Sequence, residues 1–267
     1  MVPEFSQKID SLAKNNSISK NPRKSFHLTQ FAACFVFPLF LVMGIFEITW
    51  FSSLNAAEPI SLFNGKNLDQ WRFRNPKATS KWTITESVML DPKMPNHLVG
   101  KKGESILLNG DNGHGVDLLS LKEHGDCELT LEFMVAKGSN SGIYFQGQYE
   151  VQILDSFGKK DKELQYGDCG GIYNTAPPKM NATKAPGEWQ KFKIIFQAPR
   201  FDKSGKKIES AKFIAVYLND RLIQENVSVK GPTTSALGGK EKPKGPLMLQ
   251  GDHGPVAFRN IQLKEKE

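Results

Sequence analysis

The stretch Cys127–Val135, "CELTLEFMV", alternates without a break. Cys127, Leu129, Leu131, Phe133 and Val135 are apolar, and Glu128, Thr130 and Glu132 lie between them. A strict period of two turns one face of a strand to a core and the other to water. Similar short apolar runs recur at 82–90, 142–154, 190–198, 212–220, 222–227, 246–250 and 256–264. Gly, Pro, Asn and Lys separate them, no window sustains a 3.6-residue period, and no unit repeats at a fixed spacing. Eight or more strands of this kind predict an all-β fold, an antiparallel β-sandwich or jelly roll. In "KFIAVYLND" (212–220) both faces are apolar, which predicts a central strand, and "LNDRL" (218–222) predicts a hairpin turn.

The β-pattern begins only near residue 58. Residues 1–30 are polar and basic, and residues 31–46, "FAACFVFPLFLVMGIF", carry no charge. "LNAAEP" at 54–59 then supplies small residues suited to a signal peptidase. Residues 1–57 therefore read as a hydrophobic targeting helix behind a basic flank, either a cleaved signal peptide or a retained signal anchor. Residues 26–51 would form the membrane tether in the second case. In both cases the flank stays in the cytoplasm and residues 58–267 are exported, to the periplasm, the outside or the membrane surface. The net charge of +7 is partly that flank: residues 1–57 hold five Lys/Arg against three acids. The excess of five that remains is scattered, so no nucleic-acid footprint is expected. Cys127 and Cys169 lie in the exported part, where they form either a disulfide or two separate buried thiols. They make neither a disulfide framework nor a zinc site. A G-x-S-x-G elbow, H-E-x-x-H, a P-loop and a dinucleotide-binding glycine fingerprint are all missing from the sequence.

The chemistry is concentrated in "SGIYFQGQYEVQILDS" (141–156), read as strand. Tyr149, Val151 and Ile153 define its apolar face, and Glu150 and Gln152 share the other. That polar face is either wetted by solvent or the floor of a groove. A regular strand puts Asp155 on the apolar side, and a β-bulge after Gln152 would gather all three polar residues. The spacing resembles the E-x-D-x-x-E bulged strand of jelly-roll retaining glycosidases, with Gln and Asp replacing its last two acids. Such enzymes hold two carboxyls about 5–5.5 Å apart across the scissile bond. His253, in "LQGDHG" (249–254), is a candidate general base or metal ligand, or simply part of a turn. Arg259 interrupts the alternation of the last strand and suits either a sugar hydroxyl or a structural ion pair. Trp71, Trp82, Tyr144, Tyr173 and Trp189 would stack on sugars or fill the core. Asn140 is a turn or groove residue. The long segments 91–104, 156–188 and 228–246 are where a rigid scaffold places function. Of these, 230–246 is also compatible with a plain flexible loop.

Five segments carry a resemblance jointly: "LFNGKNLDQW" (62–71), "GSNSGIYFQGQYEVQILD" (138–155), "GGIYNTAPPKMNATKAPGEWQKFKI" (170–194), "VYLNDRLIQEN" (216–226) and "GPLMLQGDHGPVAFRNIQLK" (245–264). In this order they resemble the 3-keto-disaccharide hydrolase domain family over residues 60–265. The resemblance implies a concanavalin A-like, glucanase-like sandwich and a carbohydrate substrate. It also implies cleavage of glycosides whose C3 hydroxyl has been oxidised to a ketone. The ketone acidifies C2–H, a base removes that proton, the C1 substituent leaves, and water adds back. By position, the resemblance points to Glu150, His253, Asp155 and Arg259 as catalytic, with Gln152 and Gln250 holding the sugar. Asn140, Tyr144 and Tyr173 are further candidates for binding it. Glu150 or His253 would be the base, Arg259 with an amide would hold the ketone, and Asp155 would supply the acid or orient a partner. Neither a metal requirement nor a cofactor follows from these residues. Two other readings fit a sandwich: a non-catalytic carbohydrate-binding module, and an ordinary retaining glycosidase.

Overall fold

The computed structural model describes residues 58–110 and 112–266. The targeting segment, with its cleavage or tether through 26–51, lies outside the described residues. In chain order the strands are β1 (Ile60–Ser61), β2 (Trp71–Phe73), β3 (Trp82–Leu90), β4 (Leu98–Asn109), β5 (Leu118–His124), β6 (Cys127–Val135), β7 (Asn140–Phe145) and β8 (Tyr149–Leu154). They continue as β9 (Gln190–Gln197), β10 (Arg200–Phe201), β11 (Lys207–Glu209), β12 (Ala211–Leu218), β13 (Arg221–Val229), β14 (Gly245–Leu249) and β15 (Val256–Glu265). A single 3-10 turn at Asp161–Glu163 interrupts the long connection after β8.

Two antiparallel sheets enclose the core. The larger runs β13-β12-β9-β6-β15-β4-β3, with β1 also beside β15, and the smaller runs β2-β5-β14-β7-β8. Leu129, Leu131 and Phe133 of β6 and Phe192, Ile194 and Phe196 of β9 point inward from the larger sheet. They meet Ile143, Phe145, Tyr149, Val151, Leu247 and Leu249 from the smaller one. Phe145 lies 4.8 Å from Phe196 and edge-on to Phe213 at 5.3 Å, so the sheets are joined by aromatic contacts. Truncating one such ring to Ala costs about 3–5 kcal/mol.

The strict alternation of Cys127–Val135 yields the predicted strand, and the doubly apolar 212–220 yields β12, flanked on both sides by β9 and β13. The turn at 218–222 is also as expected, with Asn219 and Asp220 both at positive φ (50° and 64°). Two expectations change and two alternatives left open are decided. Residues 98–104, read as part of the long connection 91–104, belong to β4. The run 142–154 is a hairpin of two strands, in which Phe145 pairs with Tyr149. Gln146 and Gly147 turn it at φ 54° and 66°, the left-handed pair that a tight hairpin requires. Cys127 and Cys169 are free buried thiols, so there is no disulfide between them. Burial pushes both thiols well above their ordinary value, Cys169 to about 12. Finally, 230–244 is a strap bound down on the smaller sheet. Its Leu237 packs with Leu119, Tyr144 and Met248 on the face away from the core.

Candidate active site

β8 is buried on both faces. Tyr149, Val151 and Ile153 enter the core, while Glu150 and Gln152, each 3% exposed, face the other way. The second face is buried because two segments wall it in. Along the outer edge of β8, Gly170 N donates to Gln152 O (2.8 Å), Gln152 N to Gly171 O (2.9 Å) and Tyr173 N to Glu150 O (3.2 Å). Residues 170–173 thereby satisfy an edge that would otherwise be bare. Across the hairpin, the strap is fastened by Thr233 N to Gln148 O and Leu237 N to Gly147 O, both at 2.8 Å. Arg74 donates to the carbonyls of Ser235 (2.9 Å) and Ala236 (3.0 Å) while pairing with Asp117 at 3.0 Å.

A narrow cleft of about 40 Å³ results. Glu150, Gln152, Asn140 and Tyr144 come from the hairpin, Gln250 and His253 from the end of β14, Tyr173 from the edge segment, and Thr234 and Ser235 from the strap. Gln250 and Ser235 also border an adjoining cavity of about 660 Å³. Seven of the nine residues singled out in the sequence are therefore brought together.

Burial shapes the carboxyl at the floor. It raises Glu150 from the ordinary 4.5 to about 8; a hydrogen bond with Tyr144 pulls the other way, and the charges of Asp117 and Asp252 add to the rise. Tyr144 is itself pushed far above the usual phenol value by burial and by Glu150. The carboxyl also needs Gly142 beneath it. A Cβ at that position would stand 2.2 Å from Glu150 Oε1. Gln152 donates to Asn140 Oδ1 (3.1 Å), which fixes one amide, whereas the buried side-chain oxygen of Gln250 has no partner. His253 is half exposed at the rim, with Nδ1 paired to Asp252 Oδ1. A buried carboxyl poised near neutrality, beside amide donors and a histidine, has the parts for proton transfer at carbon with stabilisation of the resulting anion. Among the described residues, no three His, Cys, Asp or Glu side chains gather to hold a metal ion.

Asp155 and Arg259 are not among the cleft residues. β7 and β8 pair without a register shift, so the expected bulge does not form. Asp155 instead accepts from Gly138 N (2.8 Å) and Phe157 N (3.3 Å) and holds the exit of the hairpin. Arg259 stands opposite Glu132, between the inward-facing residues of β15 and β6, so its side chain leaves the far side of the larger sheet. There its Nε donates to Glu132 at 2.7 Å, and the guanidinium lies 4.0 Å over Trp189. The core separates it from the cleft. Trp71 and Trp82 are buried as well, so these tryptophans build no flat stacking face. Sequence reasoning missed Thr234, Ser235, Asp117 and Arg74. The strap has no periodicity, and Arg74 meets Asp117 only through strand pairing 43 residues apart.

A sandwich with a walled, carboxyl-floored polar cleft has the make-up of an all-β enzyme acting on a polar substrate. The chain belongs to the family described as the 3-keto-alpha-glucoside-1,2-lyase-like domain, whose model matches residues 58–264. It is similar to a 3-keto-disaccharide hydrolase of Bacteroides thetaiotaomicron, 27% identical over 236 residues and covering 77% of each chain. Among solved structures, a presumptive glycosyl hydrolase from Parabacteroides distasonis matches with a TM-score of 0.55 at 27% identity, over 78% of this chain and 84% of that one. A second from the same organism shares the fold at TM-score 0.51 and 21% identity, over 78% of this chain and all of the other. The motif resemblance is thus met, and the chain is an enzyme acting on glycosidic bonds.

Proposed function

We propose that the protein cleaves 3-keto-glycosides, 3-keto-disaccharides among them, by proton abstraction at C2, elimination and rehydration. The observation that carries this reading is Glu150, a carboxyl on the cleft floor raised to about 8. A base with that value is strong enough to take a proton made acidic by a ketone, and a useful fraction of it is ionised near neutral pH. Glu150 removes the C2 proton, and the electron pair passes to the C3 oxygen as an enolate. The amides of Gln152, Gln250 and Asn140 surround the cleft where that oxygen would sit. Collapse of the enolate breaks the C1–O bond and forms a C1–C2 double bond, and His253 protonates the departing oxygen. Water then adds its hydroxyl to C1 and a proton to C2, so the net change is hydrolysis. We read the sandwich as the jelly-roll, concanavalin A-like kind. The uncharged run at 31–46 supports export, with residues 58–267 outside the cytoplasm.

The test is sugar release from a 3-keto-disaccharide and from its unoxidised parent. Only the ketone is expected to be cleaved, and product formed in D₂O should carry deuterium at C2. Glu150→Gln should lower the rate by about 10²–10⁴-fold, the usual worth of a general base. Cleavage of the parent sugar without deuterium uptake would establish an ordinary glycosidase instead.

A further inference from the structure

The Glu150 cleft, at about 40 Å³, is too small to enclose a sugar, whereas the cavity beside it is about 660 Å³. That volume falls within the range of small-molecule sites. The two spaces meet at Gln250 and Ser235, and Asp252 on the cavity side is the residue that pairs with His253 on the cleft side. Any substituent expelled from a ring held over Glu150 past His253 therefore has this space next to it. We propose, resting on the 3-keto-glycoside reading, that the cavity is the subsite for the departing half of the substrate. Its lining selects a polyhydroxylated sugar over an alkyl or aromatic aglycone.

The walls carry this assignment. Arg74, Asn75, Asp117, Ser235, Gln250 and Asp252 face the cavity, and it has no aromatic side chain on which an aryl group could stack. Asp117 is 5% exposed and its geometry is fixed: one oxygen takes Arg74 at 3.0 Å, the other takes Gly251 N at 2.9 Å. The wall on the strap side is held by the same Arg74, through the carbonyls of Ser235 and Ala236. This surface is polar and cross-braced by hydrogen bonds, with the Arg74 guanidinium among its lining groups. Such a surface recognises hydroxyl groups by hydrogen bonds and offers little to an apolar group. A site built for hydroxyls penalises a partner that leaves its polar groups unmatched.

The experiment compares kcat/KM for a 3-keto-disaccharide with that for methyl 3-keto-glucoside. The wild-type protein should favour the disaccharide at least tenfold. Ala78→Trp, which fills the cavity from its wall, should remove most of that preference. Asn75→Ala should reduce it about threefold to tenfold, and it guards against misfolding of the bulkier variant. A preference that both folded variants leave intact would overturn the assignment, as would a wild-type protein indifferent to the leaving group. If the wild-type protein turns over neither ketone, the proposed chemistry fails, and the cavity is then judged by the ratio of calorimetric affinities for the same two compounds. That ratio should fall in the same variants, and an unchanged ratio would overturn the subsite.

Discussion

Glu150 is held where water cannot solvate it well, and the cost of its charge is visible in a folded pKa near 8 against an ordinary 4.5. Between those values the folded protein keeps a proton that the unfolded chain has lost. This contribution to stability is complete below about pH 4.5 and disappears as the pH rises through 8. Glu150→Gln, which cannot ionise, should therefore raise the melting temperature at pH 8.5 and change it little at pH 5. A shift equal at both pH values would mean that the carboxyl is not paying for burial. The same ionisation governs the proposed base, so the ascending limb of kcat/KM should follow an apparent pKa near 8. Gly142 bears on the same atom. Gly142→Ala puts a methyl group 2.2 Å from the place Oε1 now occupies. The carboxyl must move, at about 1–3 kcal/mol for the overpacking, and activity should drop by at least tenfold in a variant that still folds. The alternation of Tyr149, Val151 and Ile153 already assigned Glu150 to the opposite face. Its pKa was not legible there, because it depends on a strap more than 80 residues away.

The hairpin that carries Glu150 is braced from behind by a histidine. His124 is fully buried; its Nδ1 donates to Gly125 O at 2.9 Å and its Nε2 accepts from Gln146 N at 3.2 Å. Both nitrogens are thus used by the neutral ring, at the left-handed turn between β7 and β8. Phe145 and Phe196 meet it edge-on at 5.6 and 6.0 Å. Desolvation lowers it from 6.5 to about 4, ahead of the raising effects of Gly125 and Glu265 and the lowering effect of Lys244. Between pH 6.5 and 4 the unfolded chain binds a proton that the folded protein refuses. Stability is complete above about 6.5 and is lost as the pH falls, by about 3 kcal/mol at 1.36 kcal/mol per pKa unit. The melting temperature should fall across that window, and His124→Leu should flatten the fall whatever its effect at neutral pH. An unchanged slope would place the acid sensitivity elsewhere. At this scale the sequence marked strands at eight apolar runs and passed over β4 (Leu98–Asn109) and β5 (Leu118–His124). It concealed the break at 145–149 because "QGQ" sits between two apolar runs with no proline or Asn-Gly to mark the turn.

Across the whole molecule, the cleft and the Arg259–Glu132 pair lie on outer faces of opposite sheets. Arg259→Ala should therefore leave kcat/KM within about twofold while costing about 1 kcal/mol, the scale of a partly exposed ion pair with a cation–π contact. Melting curves and turnover of the same preparation would separate the two effects, and a large loss of turnover would refute the placement. Of the residues singled out in the sequence, Glu150, Gln152, Asn140, Tyr144, Tyr173, Gln250 and His253 line one cleft, and each lies in or beside a strand or strand end with a local signature. Asp155, whose place in the site hung on a bulge, and Arg259, which stands on a strand of the other sheet, lie outside it. Residue order and period-two hydrophobicity determined the all-β class, most strand positions and the inward or outward sense of each side chain, because those follow from local sterics and one-sided burial. Which outward faces meet, which are roofed, and how far a carboxyl is desolvated were decided only by the tertiary structure. Those properties come from strand pairing and loop packing between segments far apart in the chain.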